Sequence, residues 1–449
     1  MLCEGLARWA KAQSWGLLAP DVQAKLRLLL IDTLGCAIAG RDHPAAVKSA
    51  RAAKAALGGP GCATGLASGA ALPVLGAILD SGAAIRALDL NDIYWGRASG
   101  GHPSDMFATA LAVAEECDSS LGEMLSAVAI GYELYIRMAD AMDLRRHFDH
   151  TTVTCMGAAL IAGTLRGLDD AQLANGLAIA FASAPRLLVL RRGPVSEVKA
   201  PAPALAQISG VLAMDLAGTG LTGPVSGMDG DYGLRVLIRP EADLASLVPT
   251  AAPVRMLEVS IKRYPCIGTG QTTVATAVAV HDKLGGRTDR IRTLHLRVQD
   301  DDVARSQIGP DYRNPENRET ADHSFWALLA MALLDGKLTP AQFASERWKR
   351  DDAEALLART TMAADLASTE RGRLAAQVIA TLDDGTMVDV ETPYAPGHPK
   401  NPLSIAGVEH KFRECAEPVL GAACARAALD AWRAADAATP LRALLKKFV

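Results

Sequence analysis

The sequence predicts a mainly α protein with a second, α+β domain, and three observations predict it. The chain has 449 residues, half of them hydrophobic, which is more than one compact core usually holds. Up to about residue 250, apolar residues recur at helical spacing between Gly and Pro breaks. After Pro253 the composition turns β-branched and partly alternating.

The elements follow in order. Residues 22–39 (VQAKLRLLLIDTLGCAIA) read as a helix with Gly40 as its C-cap. Helices are predicted over 73–87, 106–117, 121–141, 154–165, 170–184 and 203–217, with Asp169 or Asp170 capping the fifth of these. They are apolar on more than one face, the pattern of helices buried among helices. Only 4% of residues are aromatic, and the abundant alanine lets helices pack closely without loss of rotamer entropy. Strands are predicted over 254–262, 291–298, 375–379 and 387–390, the last two flanking the turn Asp383-Asp384-Gly385. Helices over 269–284 and 323–334 lie between them, which makes an α+β module of roughly 255–400. The tail from Ser404 returns to alanine-rich helix and is expected to rejoin the first domain.

Composition excludes several classes. A net charge of −4 offers no footprint for nucleic acid or for an anionic membrane surface. The eight cysteines show no CxxC spacing, so neither a disulfide scaffold nor a structural zinc site is expected. The start, MLCEGLARWAKAQSWGLL, is broken by Glu4, Arg8 and Lys11 and reads as an amphipathic helix rather than a signal peptide. No apolar run approaches the roughly 18 residues of a membrane span. A cytoplasmic protein is expected.

The chemistry-bearing residues concentrate first in 89–105 (DLNDIYWGRASGGHPSD). Asp89, Asn91, Asp92, His102 and Asp105 stand there with Gly96, Gly100, Gly101 and Pro103, between two apolar helices. A long polar segment in such a place is costly unless it is used. The competing reading is a surface loop with a helix cap at Ser104. His147 and His150 have HxxH spacing beside Asp149, but two histidines make a poor metal site. Arg145-Arg146 and Arg191-Arg192 suit an anion or a solvated face. Lys199 and Lys262 sit in apolar surroundings, where a lysine needs a partner or must snorkel to solvent. His323 opens an apolar helix, with Asp322 as a candidate cap. Gly268-Thr269-Gly270 lacks the rest of a dinucleotide fingerprint. P-loop, HExxH and GxSxG motifs are absent from the sequence. Histidines, aspartates and lysines remain, a set suited to proton transfer next to a carboxylate.

The strings LLLIDTLGCAIAG (28–40), LDLND (88–92), GHPSD (101–105), AIGYEL (129–134), DH (149–150), GPVSEVKA (193–200), LTGP (221–224), IKRYPC (261–266), ETADHS (319–324), ALLDG (332–336) and GHPKNPLS (397–404) occur in that order. Together they resemble the MmgE/PrpD family of 2-methylcitrate dehydratases, cis-aconitate decarboxylases and iminodisuccinate epimerases. The resemblance implies a large all-helical domain over 1–255 and 402–449 and a smaller α+β lid domain over 256–401, with the active site in the cleft between them. It implies a homodimer acting on a small carboxylate, with no metal and no organic cofactor. Asp89 matches the first aspartate of the family's D-F-[DN]-D-T motif, His102 the histidine of its HP motif, and His150 its second active-site histidine. Lys199 and Lys262 match two lysines of the site. His102, His150, Asp89 and Lys262 are thus the expected catalytic residues, with Lys199, Asp92 and His323 binding substrate.

In the implied mechanism His102 acts at carbon and His150 on a departing hydroxyl, while the lysines hold developing carboxylate charge and Asp89 orients a partner. The implied reaction is loss of water from a hydroxy di- or tricarboxylate such as 2-methylcitrate. A decarboxylase of a cis-aconitate-like acid, an iminodisuccinate-type epimerase and a non-enzymatic carboxylate binder are the alternatives. Two positions depart from the pattern. Ile93 replaces the motif's threonine, and Ala327 stands where the family has a tyrosine.

Overall fold

A computed structural model describes residues 1–96, 100–143, 148–191, 195–367 and 374–446. His147, Arg145, Arg146 and Arg192 lie outside the described residues. The chain forms two compact units. One comprises Met1–Ala87, Asn91–Val259 and Ser404–Val449; the other comprises Leu88–Leu90 and Ser260–Leu403.

The first unit is built on helices. Thr151–Leu165 is buried on every side through Gly163, as its unbroken apolar and threonine-rich sequence requires. Leu121–Ala141 starts at a capping box in which Ser120 and Glu123 satisfy each other's backbone N–H groups. Asp169 and Gln172 do the same for Asp170–Ser183. Helix Ile405–Leu420, the first of the tail, joins this unit through Lys411, whose ammonium lies 2.5 Å from the Asp32 carboxylate, both buried.

Two expectations for this unit are corrected. Gly40 is no cap: Pro20–Gly40 ends into Arg41 with right-handed backbone. A Cβ on Gly40 would stand 2.1 Å from the Ala84 carbonyl oxygen, so glycine is there for the close crossing of helix Val74–Arg86. Residues 254–262 are no strand. Glu133 accepts from the N–H groups of Val254 and Arg255, each at 3.0 Å, and the chain turns into the single helical turn Arg255–Glu258. Burying Met256 and Val259 through that turn satisfies their apolar spacing without pairing. The unit also carries two short ladders, β1 (Ala63–Thr64) with β2 (Ala71–Leu72) and β3 (Tyr94–Trp95) with β4 (Gly100–Gly101), so it is mainly rather than wholly helical.

The second unit holds a mixed four-stranded sheet in the order β6 (Thr360–Leu366), β5 (Ile291–Gln299), β7 (Ala376–Leu382), β8 (Met387–Thr392). β5 runs parallel to β6 and antiparallel to β7, and β7 and β8 form the expected hairpin. Leu294, Leu296, Val298, Val378 and Ala380 pack into one core with residues of helices Gln271–Lys283 and Phe325–Asp335. β6 has no counterpart in the sequence-based expectation, because TTMAADL mixes threonine with alanine and lacks a clear period. No helix among the described residues is long and apolar enough to cross a membrane.

Candidate active site

In the first unit, the antiparallel pair β3–β4 folds the polar segment back on itself and sets residues 91–92 beside 102–105. The segment is no surface loop: Asn91, Asp92, His102, Ser104 and Asp105 are all buried. Asp92 accepts from the Ser104 N–H at 3.0 Å, the Ser104 hydroxyl at 2.6 Å and the Tyr132 hydroxyl at 2.9 Å. Asn91 donates to Ser104 and to Asp105, both at 2.9 Å. This network fixes His102, whose Nδ1 lies 2.6 Å from the Asp92 carbonyl oxygen. A carbonyl only accepts, so Nδ1 carries the proton and Nε2 is the basic nitrogen of the neutral ring.

His150 immediately precedes helix Thr151–Leu165. Its ring meets that of His102 edge to face, with centroids 5.2 Å apart and planes at 70°. Its Nδ1 lies 3.4 Å from the Tyr135 hydroxyl. Burial, followed by the charges of Asp105, Asp149 and Asp92, raises Tyr135 well above its ordinary pKa, so the phenol keeps its proton and can donate it. With the phenol as donor, the His150 proton sits on Nε2, the opposite tautomer to His102; with the phenol as acceptor it sits on Nδ1. Gly101 makes room for the pair. A Cβ there would come within 2.0 Å of the Tyr135 oxygen and 2.8 Å of the His150 ring.

Asp149 and Arg191 extend the group. Arg191 donates to Asp149 at 3.3 Å and to the Lys199 carbonyl at 3.2 Å. It thereby ties the turn Glu197–Lys199, with its buried lysine, to the segment carrying His150. Burial alone would raise Asp149, but His150, Arg191 and the Thr151 bonds bring it down to about 2. Asp92 and Asp105 move the other way. Burial lifts Asp92 to about 6 against its Ser104 and Tyr132 bonds. Burial lifts Asp105 to about 7 against the pull of Arg86 and Arg191, with Asp92 adding to the rise.

A stability prediction follows from these shifts. The folded protein holds Asp105 protonated well above its ordinary value of 3.8, so between about pH 4 and pH 7 the folded state binds the extra proton and stability falls as pH rises. Asp105→Asn removes the titration and keeps an acceptor for Asn91. Its gain in melting temperature over the parent should be larger at pH 8 than at pH 5. Equal gains at both values would show that Asp105 ionises normally. Asp149 has the opposite sign: its contribution is present above about pH 4 and is lost as pH falls towards 2.

The second unit holds a charged group of its own. Asp89 takes left-handed backbone, φ 50°, which aspartate tolerates better than most residues. Lys262 donates to the Asp89 carboxylate, to the Asp89 carbonyl at 2.8 Å and to the Cys266 carbonyl at 3.2 Å. Asp89 and Lys262 are both about 1% exposed. Snorkelling is therefore not how Lys262 is accommodated. His323 is buried, and its Nδ1 hydrogen-bonds the Asp322 carboxylate. Asp322 is not the expected cap: Phe325–Asp335 begins three residues later, with Ser324 accepting from the Ala327 N–H. Both departures from the family pattern are buried apolar side chains, Ile93 at 7% and Ala327 at 1% exposure.

Among the described residues, Asp89, Asp322 and His323 are the group with metal-ligand spacing, their donor atoms lying within 4.8 Å of one another. The donor set fits a metal poorly. The Lys262 ammonium already sits on the Asp89 carboxylate, and a divalent cation there would face it directly.

Sequence reasoning missed Tyr132, Tyr135 and the linking role of Arg191. The one available signal was two tyrosines, three residues apart, on an otherwise apolar helix. The structure brings His102, His150, Lys199 and Asp92 together in one unit, and Asp89, Lys262 and His323 in the other.

The helical unit thus sets paired histidines among buried carboxylates, and the α+β unit holds a buried lysine–aspartate pair. Comparison with known proteins gives the lineage. Residues 4–245 match the MmgE/PrpD N-terminal domain and residues 264–436 the MmgE/PrpD C-terminal domain, and the chain belongs to this family. A 2-methylcitrate dehydratase of Cupriavidus necator is 27% identical over 412 residues, 83% of this chain and 81% of the relative. The 2-methylcitrate dehydratase of Escherichia coli K12 is 25% identical over 82% of this chain and 80% of its own. The cis-aconitate decarboxylase of Mus musculus is 25% identical over 78% of this chain and 73% of its own.

Proposed function

We propose that this protein is a lyase that eliminates water from a small hydroxy di- or tricarboxylate such as 2-methylcitrate. The observation that carries the proposal is the His102–His150 pair, two rings meeting edge to face, with the Nδ1 proton of His102 held by the Asp92 carbonyl and Nδ1 of His150 beside the Tyr135 hydroxyl. His102 Nε2 takes the proton from the carbon beside a carboxylate, and the C–H electrons form the C=C bond. His150 Nε2–H protonates the departing hydroxyl, which leaves as water. Lys199 and Lys262 stabilise carboxylate charge as it develops. Asp89 holds Lys262, and Asp322 orients His323 towards substrate. Asp92 acts as a positioning residue, because its carboxylate is engaged by Ser104 and Tyr132 while its carbonyl sets the His102 tautomer. These side chains supply the proton transfers themselves, so no metal or organic cofactor enters the scheme.

The names of the relatives support both a dehydratase and, as second reading, a decarboxylase of a cis-aconitate-like acid. Incubation with citrate-like and amino-dicarboxylic acids in deuterated water, followed by NMR, separates the readings. New alkene signals with the carbon count retained are expected. Loss of a carboxyl carbon would establish the decarboxylase, and deuterium wash-in with inversion an epimerase. No change with any acid would reduce the protein to a carboxylate binder.

We further propose a homodimer formed through helix Ala202–Gly218. Leu205, Leu212 and Leu216, on one side of it, are 45%, 46% and 37% exposed, although a helix apolar all round is normally covered. Leu212→Glu should shift the protein from dimer to monomer in sedimentation without lowering its helical content. A parent protein that sediments as a monomer would refute the dimer.

A further inference from the structure

Arg318 opens the short helix Arg318–Ala321, and its carbonyl accepts from the Asp322 N–H at 2.9 Å. Its guanidinium carbon lies 5.1 Å from the centroid of the Phe343 ring. Nε and Nη2 of this guanidinium are buried, and neither has a hydrogen-bond acceptor among the described residues. Burial pulls the group below its ordinary pKa, against the charges of Asp322, Glu319 and Asp89.

Nε–H and Nη2–H form the parallel edge of a guanidinium that grips a carboxylate with two bonds at once. Buried polar groups are almost always satisfied, and an orphaned buried charge is costly. The nearby protein carboxylates do not satisfy this edge. Asp322 hydrogen-bonds His323 Nδ1, and Asp89 accepts from Lys262.

We infer that Arg318 is a further substrate-binding residue, taking one carboxylate of a di- or tricarboxylate on its Nε/Nη2 edge beside His323 and Lys262. The inference rests on the carboxylate reading under Proposed function and adds to it a specific receptor for one acid group.

The test is calorimetric titration of the full-length protein with tricarballylate, a tricarboxylate with no hydroxyl to lose, alongside Arg318→Lys and Arg318→Gln. Arg318→Lys keeps the charge and loses the two-pronged edge, so binding should weaken roughly tenfold. Arg318→Gln should weaken it roughly a hundredfold. Without ligand, Arg318→Gln should melt at or above the parent temperature, since it removes an unsatisfied buried charge. Parent-like binding by both variants would overturn the inference and leave the functional reading standing. So would a lowered melting point of ligand-free Arg318→Gln with parent-like binding by Arg318→Lys, which would give the guanidinium to the fold. Failure of the parent protein to bind either tricarballylate or 2-methylcitrate would remove the functional reading, and the inference with it.

Discussion

Replacing His102 with alanine is expected to lower turnover by roughly 100- to 10,000-fold, the usual range for loss of a positioned acid or base. The fold should survive, because the Asp92–Ser104–Tyr132 network that holds this segment does not pass through the imidazole. Measurement in deuterated water gives the sharper reading. His102→Ala should lose deuterium exchange at the substrate carbon together with elimination. His150→Ala should lose elimination while keeping exchange, since His102 still removes the carbon-bound proton. The reverse pattern would interchange the two roles. Near-parent activity of His102→Ala would remove His102 from the chemistry altogether.

The second large effect concerns the buried pair in the α+β unit. Lys262→Met leaves the Asp89 carboxylate without the ammonium that neutralises it, and breaking one half of a buried pair costs about 3–5 kcal/mol. Asp89→Asn together with Lys262→Met removes both charges. Asparagine also tolerates the left-handed backbone at position 89, so most of the lost stability should return. Activity should not return, because the proposed role of Lys262 needs its charge. Urea denaturation of the parent, single and double variants checks this. A loss below about 1 kcal/mol in Lys262→Met would show that the pair contributes no more to stability than a solvent-exposed one. A double variant as active as the parent would make the pair structural.

Much of the architecture was legible in the chain. Leu121–Ala141 was predicted with both ends as observed, because a capping box and an uninterrupted apolar pattern mark it locally. The β7–β8 hairpin announced itself through Asp-Asp-Gly between alternating segments. Elements governed by distant contacts were read wrongly. The turn Arg255–Glu258 exists because Glu133, more than a hundred residues earlier, caps it. Gly40 answers to the Ala84 carbonyl on another helix. Strand β6 is specified by its pairing to β5 more than by its own composition.

The residues carrying the proposed chemistry follow the same division. Sequence by itself determined the family, the two-part composition and the identities of Asp89, His102, His150, Lys199 and Lys262 as the residues of interest. These depend on side-chain type and order along the chain. Tertiary structure alone decided their states. It put a carbonyl against His102 and a phenol against His150, gave Lys262 its counter-ion and left Arg318 with an unsatisfied edge. Protonation and charge balance depend on distances of a few ångströms between residues far apart in the chain, and a linear order of side chains does not encode them.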